Sequence, residues 1–273
     1  MLPLKDHNPV SRPAVVVPVL IGLNLFVFLF VQPTLRTLGR SDEAAVIEQT
    51  QFSACRASIP YEVMHGETVL DAVRDGDLGS DRARIIAAAQ GGTVIFPRQG
   101  ACPDKNVWGS ILFSMFLHGG WLHIAGNMLF LWVFGNNVED RLGRVKFLAF
   151  YLLAGTAATY AQSALTPMSA TPLVGASGAI AGVLGAYLLL YPHARITTLV
   201  IFFFITVWEL PAIVVLGLWF VLQVFQQVGS VAGEAGGVAY MAHIGGFVAG
   251  MILLLIFRPR PRPQRRVVLP YDI

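Results

Sequence analysis

Residues 147–194 run for 48 positions without one Asp, Glu, Lys or Arg. Soluble globular chains carry roughly one such residue in four, so a run of this length has no ordinary place in a water-facing fold. A helix crossing the roughly 30 Å hydrocarbon layer needs about 20 largely apolar residues, and the run is too long for one crossing. The polar, proline-containing stretch 162–172 divides it into two spans. The pattern recurs elsewhere. Between Arg195 and Arg258 the charged residues are Glu209 and Glu234, the latter in a glycine-rich loop, 229–237, that separates two further spans. Residues 106–138 lack all four charged types and hold a span beginning near Gly120, and 14–31 supply another. The chain is therefore expected to be an all-α polytopic membrane protein with six transmembrane helices. Its low charge, 13% of residues, and mean hydropathy of +0.63 exclude a soluble enzyme or a disordered chain.

The stretch 195–227 is too long for a single crossing. Glu209 and Pro211 interrupt it, and a charge at mid-bilayer costs about 3 kcal/mol on insertion scales. The fifth span is placed from near Leu210, leaving 196–208 as an interfacial or re-entrant apolar segment. Orientation follows from the short loops. Lys5, Arg12, Arg141, Arg144, Lys146, Arg195 and the five arginines from Arg258 to Arg266 all fall on one face, which the positive-inside rule makes cytoplasmic. This topology absorbs the pI of about 9.0 and the net charge of +3, with no need for a nucleic-acid partner. No small-x-small cleavage site follows Val31, so the first span is expected to remain as an anchor.

Residues 32–107 form an enlarged first extramembrane loop on the outer face, with 8 of the 19 basic and 10 of the 16 acidic residues. Helix-compatible spacing occurs over 43–59 and 68–90, the second interrupted by Gly76 and Gly79. An accessory cap is expected there rather than an enzymatic core. Cys55 and Cys102 either pair as a disulfide in that oxidising setting or remain thiols.

Polar groups inside spans are costly and face a cavity or a partner. His123 and Asn127 in span two, Ser177 in span four and His243 in span six stand out. His123 and Asn127 share a helix face. In the six-span topology all four lie roughly 5–12 Å below the outer interface. Gly246 and Gly250 make a G-x-x-x-G face on span six, and Gly178, Gly182 and Gly185 make a matching small face on span four. Close packing of those faces would carry His243 to Ser177. A serine nucleophile needs such a base and donors aimed at the developing oxyanion. No carboxylate occurs at that depth, so a Ser–His dyad is the expected form. His118 is expected to make a structural hydrogen bond at the outer interface. Glu139, Asp140 and Arg141 are expected to form a loop network, and Trp132 and Trp219 to be ordinary lipid-facing or core residues. His7, His65 and His193 lie outside the spans and carry no signal.

The motifs His118-Gly-Gly-Trp-Leu-His123-Ile-Ala-Gly-Asn127, Gly135-Asn-Asn-Val-Glu139-Asp-Arg141-Leu-Gly143, Gly175-Ala-Ser177-Gly178 and Ala242-His243-Ile-Gly-Gly246 together resemble a bacterial rhomboid intramembrane serine protease. The resemblance covers residues 108–257 well and span one loosely. It implies a rhomboid-like bundle of six helices, flanked by a cytoplasmic N-terminus, 1–13, and a basic cytoplasmic tail, 258–273, in a cell inner membrane. It further implies Ser177 as nucleophile and His243 as general base, with His123, Asn127 and the Ser177 N–H as oxyanion hole. Supporting roles fall to His118, Glu139, Arg141, Gly175, Gly178, Gly246 and Gly250. The implied substrates are single-span membrane proteins, cut in or beside the span, with no metal or other cofactor.

Three departures accompany it. Ala181 stands where many relatives carry an aromatic residue that packs on the histidine. Trp108-Gly109 replaces the family's Trp-Arg pair. Residues 35–100 are not explained by the family core. Two other functions remain in view: a catalytically inactive rhomboid-like binder of membrane proteins, against which the joint presence of Ser177, His243 and Asn127 argues, and a proton-coupled transporter, which lacks an acidic residue at mid-depth.

Overall fold

The computed structural model describes residues 1–39, 43–74, 102, 105–201, 205–231 and 238–261. A short strand, β1 (Leu2–Asp6), precedes α1 (Val16–Phe26), which continues through a π-helical turn, Val27–Val31. The first-loop segment holds α2 (Thr34–Thr37), α3 (Glu43–Arg56), α4 (Pro60–His65) and α5 (Val69–Arg74), with α6 (Val107–Ser114) closing it. Then come α7 (Trp121–Leu142), α8 (Arg144–Leu165), α9 (Ser177–Leu190), β2 (Arg195–Ile201), β3 (Ile205–Pro211), α10 (Ala212–Val231) and α11 (Tyr240–Phe257). Two segments, Ala212–Gly229 and Tyr240–Phe257, are long and apolar enough to cross a membrane, while Val16–Val31 and Ser177–Leu190 are apolar but shorter.

The core is centred on α9, whose residues from Gly178 through Tyr187 are all buried. What lets two helices close on it is the absence of side chains. A Cβ added to Gly178 would lie 2.5 Å from the Cβ of Ala158 on α8, and one on Gly182 would lie 2.5 Å from the Cβ of Ala154. Against α11 the contact is between backbones, since a Cβ on Gly250 would overlap the carbonyl of Gly182, and one on Gly246 the carbonyl of Gly178. Small-residue faces of this kind substitute dispersion contact for the hydrophobic drive that lipid removes.

The expectation of an all-α chain needs correcting. Residues 195–201 and 205–211 are strands, not helix: β2 and β3 pair antiparallel, and β1 from the N-terminus adds to β2. The sequence Arg-Ile-Thr-Thr-Leu-Val-Ile is β-branched at five of seven positions, which favours a pleated strand over a helix. Ile196 and Thr198, two residues apart, turn inward and are fully buried. Glu209, which broke the apolar run, sits on β3 and pairs across the hairpin with Arg195 at 3.3 Å, both exposed.

Glu139, Asp140 and Arg141 do form a network with neighbouring segments, but from a helix and not from a loop. They occupy the last turn of α7, and buried Glu139 accepts the backbone N–H groups of Val15, Val16 and Val17 at 2.8–3.0 Å. These are the orphan donors at the start of α1, and a carboxylate there offsets both their desolvation and the positive end of the helix. Asp140 accepts from Ser11, and Arg141 donates to the carbonyl of Arg260.

The first-loop segment has a small core of its own, with Ile59, Tyr61, Val69 and Ala72 packed against Ala170 of the α8–α9 connection. Cys55 and Cys102 are joined as a disulfide, and the loop it closes is long enough for a stabilisation of about 4 kcal/mol on the chain-entropy account. Beside it, Lys105 and Glu62 form a buried ion pair at 2.5 Å. Burial pushes the Glu62 carboxyl up and the Lys105 ammonium down, and each charge holds the other back. The helix expected over 43–59 is α3, ending at Arg56. Of the pattern over 68–90, α5 is described; Gly76, Gly79 and the remainder lie outside the described residues, as does Glu234.

Candidate active site

Ser177 is the first residue of α9, where backbone N–H groups have no intrahelical acceptor. The chain reaches it through Gly175, whose φ of +126° a residue with a side chain rarely adopts. A Cβ at Gly175 would lie 2.8 Å from His123 Nε2 and 3.5 Å from Ser177 Oγ. Glycine here both turns the chain and leaves the space between those two side chains open. The approach is pinned from outside the bundle. Gly175 N–H donates to the carbonyl of Ser114 at 3.0 Å, and Leu173 N–H to that of Ser58 at 2.7 Å. Ser58 N–H in turn donates to Ser114 Oγ. The first-loop segment thus braces the strand of chain that carries Ser177.

His243 lies in the first turn of α11, three residues before Gly246. With the α9 and α11 backbones in contact below it, its Nε2 comes to 2.9 Å from Ser177 Oγ. Its other ring nitrogen, Nδ1, is 2.7 Å from the side-chain oxygen of Gln223 on α10. Trp219, one turn earlier on α10, lies beside the imidazole with ring centroids 5.9 Å apart and planes inclined by 37°. Trp219 packs partly buried against the core, as its sequence context suggests, and in addition faces the imidazole. Ala181 is fully buried in α9, and Trp219 supplies the imidazole with an aromatic neighbour from α10.

His123 sits in the first turn of α7. Gly119 N–H donates to its Nδ1 at 3.3 Å, so the neutral ring carries its proton on Nε2, the atom that faces Gly175 and Ser177. Asn127, one turn further along the same face, is buried, and its Nδ2 group has no hydrogen-bond partner among the described residues. A buried donor left unpaired costs about 1–3 kcal/mol. The group of Ser177 N–H, His123 Nε2–H and Asn127 Nδ2–H is the kind of donor set that can receive a negatively charged oxygen.

His118 makes structural hydrogen bonds, and makes them through its backbone. The carboxamide of Gln32 takes its backbone N–H and donates to its carbonyl, at 2.9 and 3.0 Å, while its ring packs edge-on against Phe28 and His123. Gly178, Gly246 and Gly250 lie in the α9–α11 seam, and Glu139 and Arg141 lie at the far end of α7 from His123. Gln223 was absent from the residues picked out in the sequence. The rule that selects Asn127, a carboxamide within an apolar span, also selects Gln223, but α10 carries no glycine face to say which way it turns. Among the described residues, no group of three or more His, Cys, Asp or Glu side chains is placed to hold a metal ion.

A family profile described as Rhomboid domain matches residues 105–260. Among curated proteins the chain is similar to Rhomboid protein 1, mitochondrial, of Saccharomyces cerevisiae, with 33% identity over 149 residues, 52% of this chain and 40% of that protein. It is 42% identical over 84 residues to Rhomboid protease GluP of Bacillus subtilis, covering 31% of this chain and 16% of that one. RHOMBOID-like protein 5 of Arabidopsis thaliana is 29% identical over 152 residues, 56% of this chain and 45% of its own. The matched region spans less than half the length of each of these relatives.

Proposed function

The chain belongs to the rhomboid family, and from that premise we propose that it is an intramembrane serine endopeptidase acting through a Ser177–His243 dyad. The single observation that carries this reading is the 2.9 Å approach of His243 Nε2 to Ser177 Oγ. Ser177 Oγ attacks the scissile carbonyl carbon while its proton passes to His243 Nε2. The carbonyl oxygen takes up the negative charge and is received by Ser177 N–H, His123 Nε2–H and Asn127 Nδ2–H. Collapse of the tetrahedral intermediate breaks the C–N bond, and His243 returns the proton to the leaving amine. Water, deprotonated by His243, then hydrolyses the acyl-enzyme by the same steps in reverse.

Six spans accommodate the fold: α1 with its π-helical turn, then α7, α8, α9, α10 and α11. The termini lie in the cytoplasm and the site opens to the outer side of a cell membrane. The length of α9 supports that depth. Its 14 residues rise roughly 21 Å against a layer of roughly 30 Å. With its C-terminal end at the inner interface, Ser177 lies some 9 Å inside the apolar layer. Substrates are single-span membrane proteins, reached from the bilayer, and the chemistry needs no cofactor.

Cleavage of a single-span test substrate in liposomes, with fluorophosphonate labelling alongside, tests the proposal. Wild type is expected to be labelled and to cleave, and Ser177→Ala and His243→Ala to do neither. Cleavage by Ser177→Ala at the wild-type rate would falsify the mechanism. Wild type that neither cleaves nor labels would favour a binder of membrane proteins. Asn127→Ala is expected to lower turnover roughly 10- to 1000-fold, the range for one lost oxyanion donor; unchanged turnover removes Asn127 from the site.

A further inference from the structure

The dyad lacks a carboxylate to orient its histidine, yet His243 is not left free to turn. An imidazole has two nitrogens, and only the one without a proton can act as a base. If the proton rested on Nε2, the 2.9 Å contact with Ser177 would point a donor at the hydroxyl and no proton could be taken. The partner of Nδ1 decides which tautomer is present. That partner is Gln223, 2.7 Å away and itself buried. Its carbonyl oxygen, turned to Nδ1, accepts the Nδ1 proton and leaves the Nε2 lone pair facing Ser177 Oγ.

Gln223 and Trp219 are four residues apart, hence on one face of α10. Ala212, Val215 and Leu216 continue that face and are buried, while Leu218, Leu222 and Phe225 on other faces are exposed. One stripe of α10 therefore touches both the edge of the imidazole, through a hydrogen bond, and its side, through an indole.

We infer that Gln223, assisted by Trp219, is the positioning residue for His243: it sets the tautomer and ring orientation in which Nε2 serves as base toward Ser177. Competence of the pair then depends on α10 being seated against α11. This inference rests on the protease reading of the dyad. As Ser177 gives up its proton, the ring becomes an imidazolium and the hydrogen bond to Gln223 becomes charge-assisted and stronger. A neutral carboxamide stabilises that cation less than a carboxylate does. Among the described residues, the other titratable side chain facing His243 is His123 on α7. From α8 the neighbour is Gln162, which accepts from Ala242 N–H, and from α9 it is Ser177.

The experiment compares wild type, Ser177→Ala, Gln223→Leu and Gln223→Glu in liposomes, measuring kcat and KM for a single-span test substrate across pH 5–9, with thermal unfolding as a check on folding. Gln223→Leu keeps an apolar volume in the membrane and loses the acceptor. It is expected to lower kcat roughly 10- to 100-fold, by analogy with the loss of a partner that orients a metal-bound histidine, with KM unchanged. Gln223→Glu, once ionised, can only accept. It is expected to retain turnover at alkaline pH and to move the acid limb of the kcat profile upward by about one pH unit or more, as a carboxylate beside an imidazole does. A merely structural Gln223 would leave that limb in place. A Gln223→Leu enzyme with wild-type kcat, or a Gln223→Glu enzyme with the wild-type acid limb, overturns the inference. Cleavage by Ser177→Ala would instead overturn the protease reading itself, so the two failures are distinguishable.

Discussion

The seam between α9 and α11 and the stripe where α10 meets α11 lie on either side of the same imidazole and are built on opposite rules. In the seam the contacting atoms are backbone: Gly182 meets Gly250, and Gly178 meets Gly246. Nothing there can rotate out of the way, so the distance between the helix bearing Ser177 and the helix bearing His243 has almost no freedom. On α10 the contacting atoms belong to Trp219 and Gln223, side chains with rotamers to choose from, on a helix largely exposed on its other faces. For the base proposed above, the difference separates two requirements. The seam sets how far His243 is from Ser177, and α10 sets which way the ring faces. A serine and histidine on rigid neighbours still need a third element to select the tautomer.

The most severe test of this division is Gly250→Ala. Replacing a mid-helix glycine by alanine favours a free helix by about 1 kcal/mol, so any loss must come from the neighbour. Here the new Cβ meets the Cα, carbon and oxygen of Gly182, and backbone cannot be displaced by a rotamer change. Overpacking commonly costs about 1–3 kcal/mol even where side chains can shift. Gly250→Ala is therefore expected to lower the thermal midpoint in detergent and to abolish cleavage, because the helices must part and His243 leaves Ser177. Wild-type midpoint and turnover would mean that the seam is softer than backbone contact allows.

How far each region could be read from the residues follows from the same contrast. The approach of α9 to α11 was legible because glycine at three- and four-residue spacing has one common physical use in an apolar helix, to let another backbone in. Ser177 and His243 stand next to those glycines, so the pattern carried both side chains with it. The α10 stripe was not legible, since Trp219 and Gln223 sit among Val, Leu and Phe with no spacing that marks one face. The hairpin was missed for another reason. Charge-counting finds apolar length and is blind to the β-branched content of 195–201, which turned an apolar stretch into strands. Glu139 was recognised as structural, but its acceptors' partners are 122–124 residues away at the start of α1, a distance no local motif encodes.

The gentlest test repeats the same substitution on the other side of the imidazole. Gly217 lies on α10 two residues before Trp219, and a Cβ built there meets nothing within 4 Å. Its neighbours Leu216 and Leu218 point to opposite surroundings, one fully buried and the other exposed, so Gly217 borders the packed stripe without entering it. With no clash, the backbone effect alone remains, and mid-helix glycine to alanine stabilises by roughly 0.5–1 kcal/mol. Gly217→Ala is expected to leave turnover and the pH profile unchanged and to hold or slightly raise the thermal midpoint. If instead the midpoint fell as it does for Gly250→Ala, α10 would be packed by close backbone approach as α9 is. The orientation of His243 would then be fixed by the bundle as a whole, and Trp219 and Gln223 would be passengers on a rigid helix.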